Sequence, residues 1–114
     1  MLKEIDREEL RRKLAAKPVP VLVEALPEKY WRDWRLPGAR NLPHDQVDTL
    51  APKVLPDKAA EIVVYCASRS CRNSHVAAQR LEQLGYENVA VYPGGKEDWM
   101  DARFPVDRGE VLAA

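Results

Sequence analysis

The run Ile62-Val63-Val64-Tyr65-Cys66-Ala67-Ser68-Arg69-Ser70-Cys71-Arg72-Asn73-Ser74 carries both cysteines of the chain and two arginines. The chemistry open to such a cluster is nucleophilic attack by sulfur, because the thiolate rather than the thiol is the reactive form. A free cysteine ionises near pH about 8.5, and nearby cations or a helix N-terminus lower that to roughly 3.5–7.5. Arg69 and Arg72 supply full positive charges here. Asn73 and Ser74 are both N-cap residue types, placed just ahead of the apolar-periodic run His75–Leu84. A helix there aims the positive end of its dipole back at Cys66. Successive backbone N–H groups in a tight strand-to-helix turn add a concave anion site. The expectation is a reactive Cys66 with a depressed pKa, its anionic partner held by Ala67, Ser68, Arg69, Ser70, Cys71 and Arg72. An inert, buried cysteine gives no reason for two arginines so close by.

The position of Cys66 depends on what precedes it. Ile62-Val63-Val64-Tyr65 is uncharged, β-branched and aromatic, and reads as a buried strand. Cys66 then sits at a strand's C-terminal end, where open α/β sheets gather their ligands. Upstream, Asp6 with Glu9 reads as a capping box opening a helix that Pro18 and Pro20 stop. Its basic run Arg11-Arg12-Lys13 is balanced by Glu4, Glu8 and Glu9 and reads as a solvated face. Val19–Leu26 is a second strand, and Pro27 opens a short helix over Glu28–Trp34, with Pro27 at its first position. Tyr30, Trp31 and Trp34 read as a core-packing face of that helix. Ala39–Leu42 is a very short strand, and 44–55 a helix with Val47, Leu50 and Val54 inward and a break at Pro52. The helix 74–84 places Val76, Ala77, Leu81 and Leu84 on one face, with Gly85 just past its end. Asn88–Tyr92 is another buried strand, followed by the turn Pro93-Gly94-Gly95 and a short helix Lys96–Ala102 anchored by Trp99. Alternating strands and helices give a parallel sheet covered on both faces. The turns 66–72 and 93–95 then share one sheet edge.

At 114 residues the chain suits one compact domain, with its core over about 4–107 and a loose tail at 108–114. Lys plus Arg equals Asp plus Glu at 18 each, which argues against a general nucleic-acid binder. No apolar run reaches the length of a membrane span. The N-terminal sequence lacks the apolar core of a signal peptide, so a cytoplasmic location is expected. In that compartment cysteines are kept reduced, and the pair is not read as a structural bridge. With His44 and His75 poorly spaced, the cysteines do not form a zinc site, and no cofactor is expected.

Several segments in order resemble one family. Leu36-Pro37-Gly38-Ala39-Arg40-Asn41-Leu42-Pro43, then Val63-Val64-Tyr65-Cys66 with its loop and Ser74-His75-Val76-Ala77-Ala78, are similar to the rhodanese-like sulfurtransferases. Leu84-Gly85-Tyr86-Glu87-Asn88-Val89, Gly94-Gly95-Lys96-Glu97-Asp98-Trp99 and Phe104-Pro105-Val106 complete the pattern over roughly 4–107. The resemblance implies a five-stranded parallel sheet flanked by helices on both faces. It also implies a cofactor-free enzyme whose loop cysteine, here Cys66, takes a sulfane sulfur from a donor such as thiosulfate. The persulfide then passes that sulfur to cyanide, a cellular thiol or a protein acceptor, a two-step covalent route. Neither nucleic acid nor membrane is an implied partner.

The sequence departs from the family in ways that keep alternatives open. Arg72 completes a Cys-x5-Arg spacing from Cys66, a loop longer than the usual sulfurtransferase type and the signature of related phosphatases and of arsenate reductases. The loop has no glycine. Val23 and Ala25 occupy a second-strand position where many members carry Asp-x-Arg, leaving Glu24 as the acidic residue there, and Arg35 replaces a common histidine. Cys71 either resolves a Cys66 persulfide as an internal disulfide, takes the sulfur itself, or packs under the loop; it is also the cysteine nearer the helix N-terminus. A phosphatase reading finds only Glu97 and Asp98 as acids near the Gly94-Gly95 turn. A non-catalytic module whose Cys66 and Cys71 toggle as a disulfide is the third reading.

Overall fold

A computed structural model describes residues 2–109. Its elements are β1 (Lys3–Glu4), α1 (Arg7–Ala15), β2 (Val21–Glu24), α2 (Glu28–Asp33), β3 (Trp34–Arg35), β4 (Arg40–Asn41), α3 (Val47–Val54), β5 (Ile62–Tyr65), α4 (Asn73–Gln83), β6 (Val89–Tyr92), α5 (Gly95–Asp101) and β7 (Asp107–Arg108). Five strands form one parallel sheet in the order β1-β6-β5-β2-β4, as expected. The apolar run Ile62–Tyr65 takes the central place, buried at all four positions. Neighbouring strand residues face opposite sides, and two cores result. Val23, Val64 and Val91 pack under α3 and α4 with Ala51, Ala77 and Leu81. Leu22, Val63 and Ala90 pack under α1 and α5 with Leu10 and Trp99.

The Asp6 cap is present: its carboxylate accepts from the Glu9 N–H at 2.8 Å. Gly85, just beyond α4, has the positive φ that glycine tolerates best. Several expectations need correction. Pro27 stands at the N-cap of α2 rather than inside it, and α2 buries no residue. Tyr30 is 48% exposed, and Trp31 and Trp34 are half-buried, so the aromatics are not core. They are committed instead to cations, with Arg35 over Trp31 and Lys96 over Trp34. Helix α3 runs through Pro52 without a break. Pro52 removes a single N–H from the ladder, and the Tyr86 hydroxyl holds the helix end from outside, 2.6 Å from the Leu55 carbonyl and 3.2 Å from that of Ala51. On α3, Val47 is buried as expected, Leu50 and Val54 pack partly buried against the same core, and Ala51 joins them on the inward face. In α4 the buried stripe is Ser74, Ala77, Ala78 and Leu81, which turns Val76 outward at 48% exposure. Where the expected tail begins, Asp107–Arg108 pair antiparallel with Trp34–Arg35; residues 110–114 lie outside the described residues. Among the described residues no helix is long and apolar enough to cross a membrane.

Candidate active site

Cys66 directly follows β5 and is 1% exposed. The parallel register sets Glu24, Tyr65 and Tyr92 level with one another at the ends of β2, β5 and β6. The turns 66–72 and 93–95 meet beyond that edge, as the topology requires. The Lys96 N–H donates to the Cys66 carbonyl and the Glu97 N–H to the Ala67 carbonyl, both at 2.9 Å. Gly95 has φ +64°, and a Cβ there would overlap the Cys66 carbonyl oxygen. Only glycine lets the two backbones touch in this way.

The loop curls back through a hydrogen bond from the Cys71 N–H to the Ser68 carbonyl, 3.0 Å. This brings the Cys71 carbonyl within 3.3 Å of the Cys66 sulfur, and the Ser74 hydroxyl lies 3.4 Å from that sulfur. Both cysteines are free thiols. The Cys66 S–H faces the Cys71 carbonyl, and the two thiols act on each other's ionisation. The N–H groups of Ala67 and Asn73 favour the Cys71 thiolate, and that of Ser74 favours the Cys66 thiolate.

The electrostatics reverse one expectation. Burial, and then the hydrogen bond to Cys71, push the Cys66 thiol above the ordinary range, against the pull of Ser74. Cys71 goes the other way: burial opposes ionisation, but the Cys66 S–H and the Ala67 and Asn73 N–H groups outweigh it and hold its thiol below the ordinary range. Arg69 and Arg72, expected to act on Cys66, are exposed and form no ion pair among the described residues. Charges in water are screened, whereas inward N–H groups act at contact. Ala67 and Ser70 are also exposed, Ser68 is half-buried, and the two serine hydroxyls pair at 3.1 Å. Neither Asn73 nor Ser74 caps α4, which starts at Asn73 with Arg72 at its N-cap and no side-chain cap; Ser74 is drawn inward to Cys66.

A buried ionic network beneath the loop was not legible as a unit. Glu24 is 0% exposed and accepts from the Tyr65 hydroxyl at 2.7 Å through Oε1. Its Oε2 makes no well-aligned hydrogen bond; its partner is the Lys96 ammonium, an ionic contact at 3.0 Å. Lys96 is 6% exposed, donates to the Tyr30 carbonyl at 2.8 Å and lies 4.8 Å from the Trp34 ring centroid. Burial raises the Glu24 carboxyl pKa, with Tyr65 and Lys96 pulling it back. The Tyr65 hydroxyl is pushed well up by burial and by Glu24. Val23 and Ala25 are wholly core. Arg35 stacks on Trp31 and donates to the carbonyls of Trp31 at 3.0 Å and Gly109 at 2.7 Å. The available signals were an acid ending an apolar strand and a tyrosine just before Cys66. Lys96 gave none, because at the start of a short helix a lysine reads as solvent-facing.

A cavity of about 270 Å³ opens beside the loop, lined by Leu26, Tyr30, Trp34, Ala67, Lys96 and Glu97, with Asp33 at its edge. A larger one of about 710 Å³ lies near β4, and no residue of 66–72 lines it. Asp98 is fully engaged, accepting from the Tyr92 hydroxyl at 2.6 Å and from Arg7 at 3.0 Å.

A family model for the rhodanese-like domain matches residues 6–102. The adenylyltransferase and sulfurtransferase uba4 of Ogataea parapolymorpha is 29% identical over 99 residues, 82% of this chain and 24% of that protein. The thiosulfate:glutathione sulfurtransferase of Saccharomyces cerevisiae is 38% identical over 45 residues, 40% of this chain and 31% of that protein. The chain thus spans under a third of the length of these curated relatives. Among solved structures, thiosulfate sulfurtransferase from Pseudomonas aeruginosa superposes with a TM-score of 0.82 at 27% identity, covering 95% of this chain and 20% of that one. A rhodanese from E. coli gives 0.65 at 26%, covering 79% of this chain and 99% of that one. With the sheet order, the Cys66 loop and the match over residues 6–102 in agreement, the chain belongs to the rhodanese-like domain family, whose members among these relatives are sulfurtransferases.

Proposed function

We propose that this chain is a rhodanese-type sulfurtransferase whose nucleophile is Cys66, forming a persulfide from thiosulfate or a related sulfane donor. The observation that carries the reading is a thiol fixed at the central strand's end, 3.3 Å from the Cys71 carbonyl and 3.4 Å from the Ser74 hydroxyl, beside a second thiol held below the ordinary range. The pair loses its first proton as a unit. Attack by Cys66 places that shared proton on Cys71 and leaves Cys66 as the thiolate. The Cys66 thiolate forms a bond to the outer sulfur of thiosulfate, the sulfur–sulfur bond of the donor breaks, and sulfite departs. The Ser74 hydroxyl and N–H stabilise the sulfur anion, and hydrogen bonds to charged groups contribute about 1.5–3 kcal/mol each. Arg69 and Arg72, exposed at the rim, are suited to hold the donor's oxygens by forked hydrogen bonds. The 270 Å³ cavity beside Ala67 is the approach for the acceptor, a thiol, cyanide or a protein thiol. Two reduced cysteines suit a thiol-reducing compartment such as the cytoplasm. Residues 4–107 would act as one domain.

The test is intact mass spectrometry of the reduced protein after thiosulfate, beside Cys66→Ser. A gain of one sulfur in wild type that Cys66→Ser lacks supports the reading. The absence of any sulfur adduct with several sulfane donors sinks it. The Cys-x5-Arg spacing favours one second reading, a phosphatase or arsenate reductase. Of its two candidate acids, Asp98 is held by Tyr92 and Arg7, which leaves Glu97, in the lining of the cavity beside Ala67. Turnover of p-nitrophenyl phosphate without a sulfur adduct would promote it.

A further inference from the structure

Three features lie outside the reaction above, the cavity at β4, the exposed Val76 and Met100, and the Glu24–Lys96 pair, and Cys71 enters it only as the partner for a proton. The first two have no partner marked on them, and the third is structural support. Cys71 is different, because it is a second nucleophile held against the reacting sulfur. We infer that Cys71 resolves the Cys66 persulfide by attacking its inner sulfur, releasing hydrosulfide and leaving a Cys66–Cys71 disulfide. This rests on the Cys66 persulfide proposed above.

The geometry selects this outcome over simple packing and over relay of the sulfur to Cys71. The turn from Cys71 N–H to Ser68 carbonyl folds Cys71 back over Cys66. The Cys71 carbonyl then lies 3.3 Å from the Cys66 Sγ, the atom that becomes the inner sulfur of the persulfide, which sets Cys71 directly beside that sulfur. Cys71 is also the half-buried member of the pair, while Cys66 is closed off. The N–H groups of Ala67 and Asn73 that face Cys71 favour its thiolate, the form required for attack.

The step balances without an outside oxidant. A bond forms between the Cys71 and Cys66 sulfurs, and the bond from Cys66 to the outer sulfur breaks. The outer sulfur takes the electron pair and leaves as hydrosulfide, carrying the proton that Cys71 received from Cys66. The sulfane sulfur is reduced and the two cysteine sulfurs are oxidised. A further turnover needs a reductant, and its class is a small thiol or a protein dithiol that opens the disulfide by exchange. The product is then free sulfide in place of a sulfur handed directly to an acceptor.

The experiment supplies thiosulfate, with no added thiol, to pre-reduced wild type, Cys71→Ser, Cys71→Ala and Cys66→Ser. Sulfite, sulfide and intact mass are followed together, and peptide mapping locates the sulfur. Wild type is expected to release sulfite and sulfide in equal amounts, once per chain, and to end lighter by two hydrogens with Cys66 joined to Cys71. Both Cys71 variants are expected to release sulfite more slowly, because the proton partner of Cys66 is gone, and to release no sulfide. Their persulfide should persist at least about tenfold longer, because a thiol held in contact acts at an effective concentration that no dilute thiol matches. A wild-type persulfide as durable as that of Cys71→Ser, or a sulfur found on Cys71, overturns the inference and leaves the sulfurtransferase reading standing. No sulfite and no adduct in any variant overturns both.

Discussion

Replacing Gly95 by alanine tests whether the start of α5 sets the position of Cys66. Gly95 has φ +64°, and its added methyl would overlap the Cys66 carbonyl oxygen and press on the Ala67 carbonyl carbon at 3.0 Å. The neighbours are backbone, so no side chain can swing aside. The left-handed conformation alone costs an alanine roughly 1–2 kcal/mol. Relieving the overlap also stretches the hydrogen bonds from Lys96 N–H to Cys66 and from Glu97 N–H to Ala67. At about 1 kcal/mol net for each bond, the expected loss is about 3–4 kcal/mol, read from the urea midpoint at unchanged slope. Moving the Cys66 carbonyl also moves its sulfur, and misplacement by about 1 Å costs up to about a hundredfold in rate. Single-turnover sulfite release from thiosulfate measures that part. Gly94→Ala is the comparison: its φ is −59°, and the atoms nearest its methyl are those of the Asp98 side chain, from Cβ at 2.6 Å. It should cost about 1 kcal/mol through the Tyr92–Asp98 hydrogen bond and leave sulfite release near wild type. A Gly95→Ala protein with wild-type midpoint and rate would refute the claim that this backbone contact positions the nucleophile.

Iodoacetamide labelling across rising pH should modify Cys71 first and Cys66 only at higher pH; peptide mapping that finds Cys66 labelled first contradicts the assigned order. Lys96→Met strands the Glu24 carboxylate and should cost about 3–5 kcal/mol near neutral pH. Because the Glu24 carboxyl is raised by burial, the folded state holds its proton to higher pH than the unfolded chain does. The loss should therefore shrink as pH falls through that raised range and be smallest below about pH 4.3, where Glu24 is protonated in both states, and denaturation at acid and neutral pH checks that sign. Tyr86→Phe removes the hydroxyl that holds the end of α3 and should cost about 1–2 kcal/mol, with sulfite release unchanged.

The parts of the fold that were legible were set by local chemistry. Ile62–Tyr65 has no charge to place and no face to expose, so the chain has nowhere to put it except the sheet centre. Asp6 caps α1 through its own carboxylate, and Gly85 takes the conformation its lack of a side chain permits. The failures came where a distant contact decided the outcome. Pro52 argued for a break, but Tyr86, far along the chain, holds the helix end. The α2 aromatics argued for core, but Lys96 and Arg35 arrive from other elements to cover their rings. The site itself divides in the same way. Cys66 and the meeting of the two turns follow from strand order. The ionisation order of the cysteines does not, because it depends on where loop N–H groups point, and formal charges on Arg69 and Arg72 are a poor guide once both side chains lie in water.

The arrangement gives Cys66 one fixed side and one responsive side. On the α5 side, a single residue does most of the fixing. The Lys96 backbone binds the Cys66 carbonyl, while its ammonium joins Glu24 of β2, the Tyr30 carbonyl of α2 and the Trp34 ring of β3. Tyr65, immediately before Cys66, binds the other oxygen of the same carboxylate. A buried ion pair of this kind adds little net stability over apolar packing, so its value here is positional: it fixes the strand end from several directions. On the other side, residues 67–72 are mostly exposed and are tied back by the Cys71–Ser68 bond. In the proposed reaction a sulfur taken up at Cys66 would rest on that fixed base. The group that would attack it next, whether an acceptor in the cavity or Cys71 from the loop, would come from the exposed side.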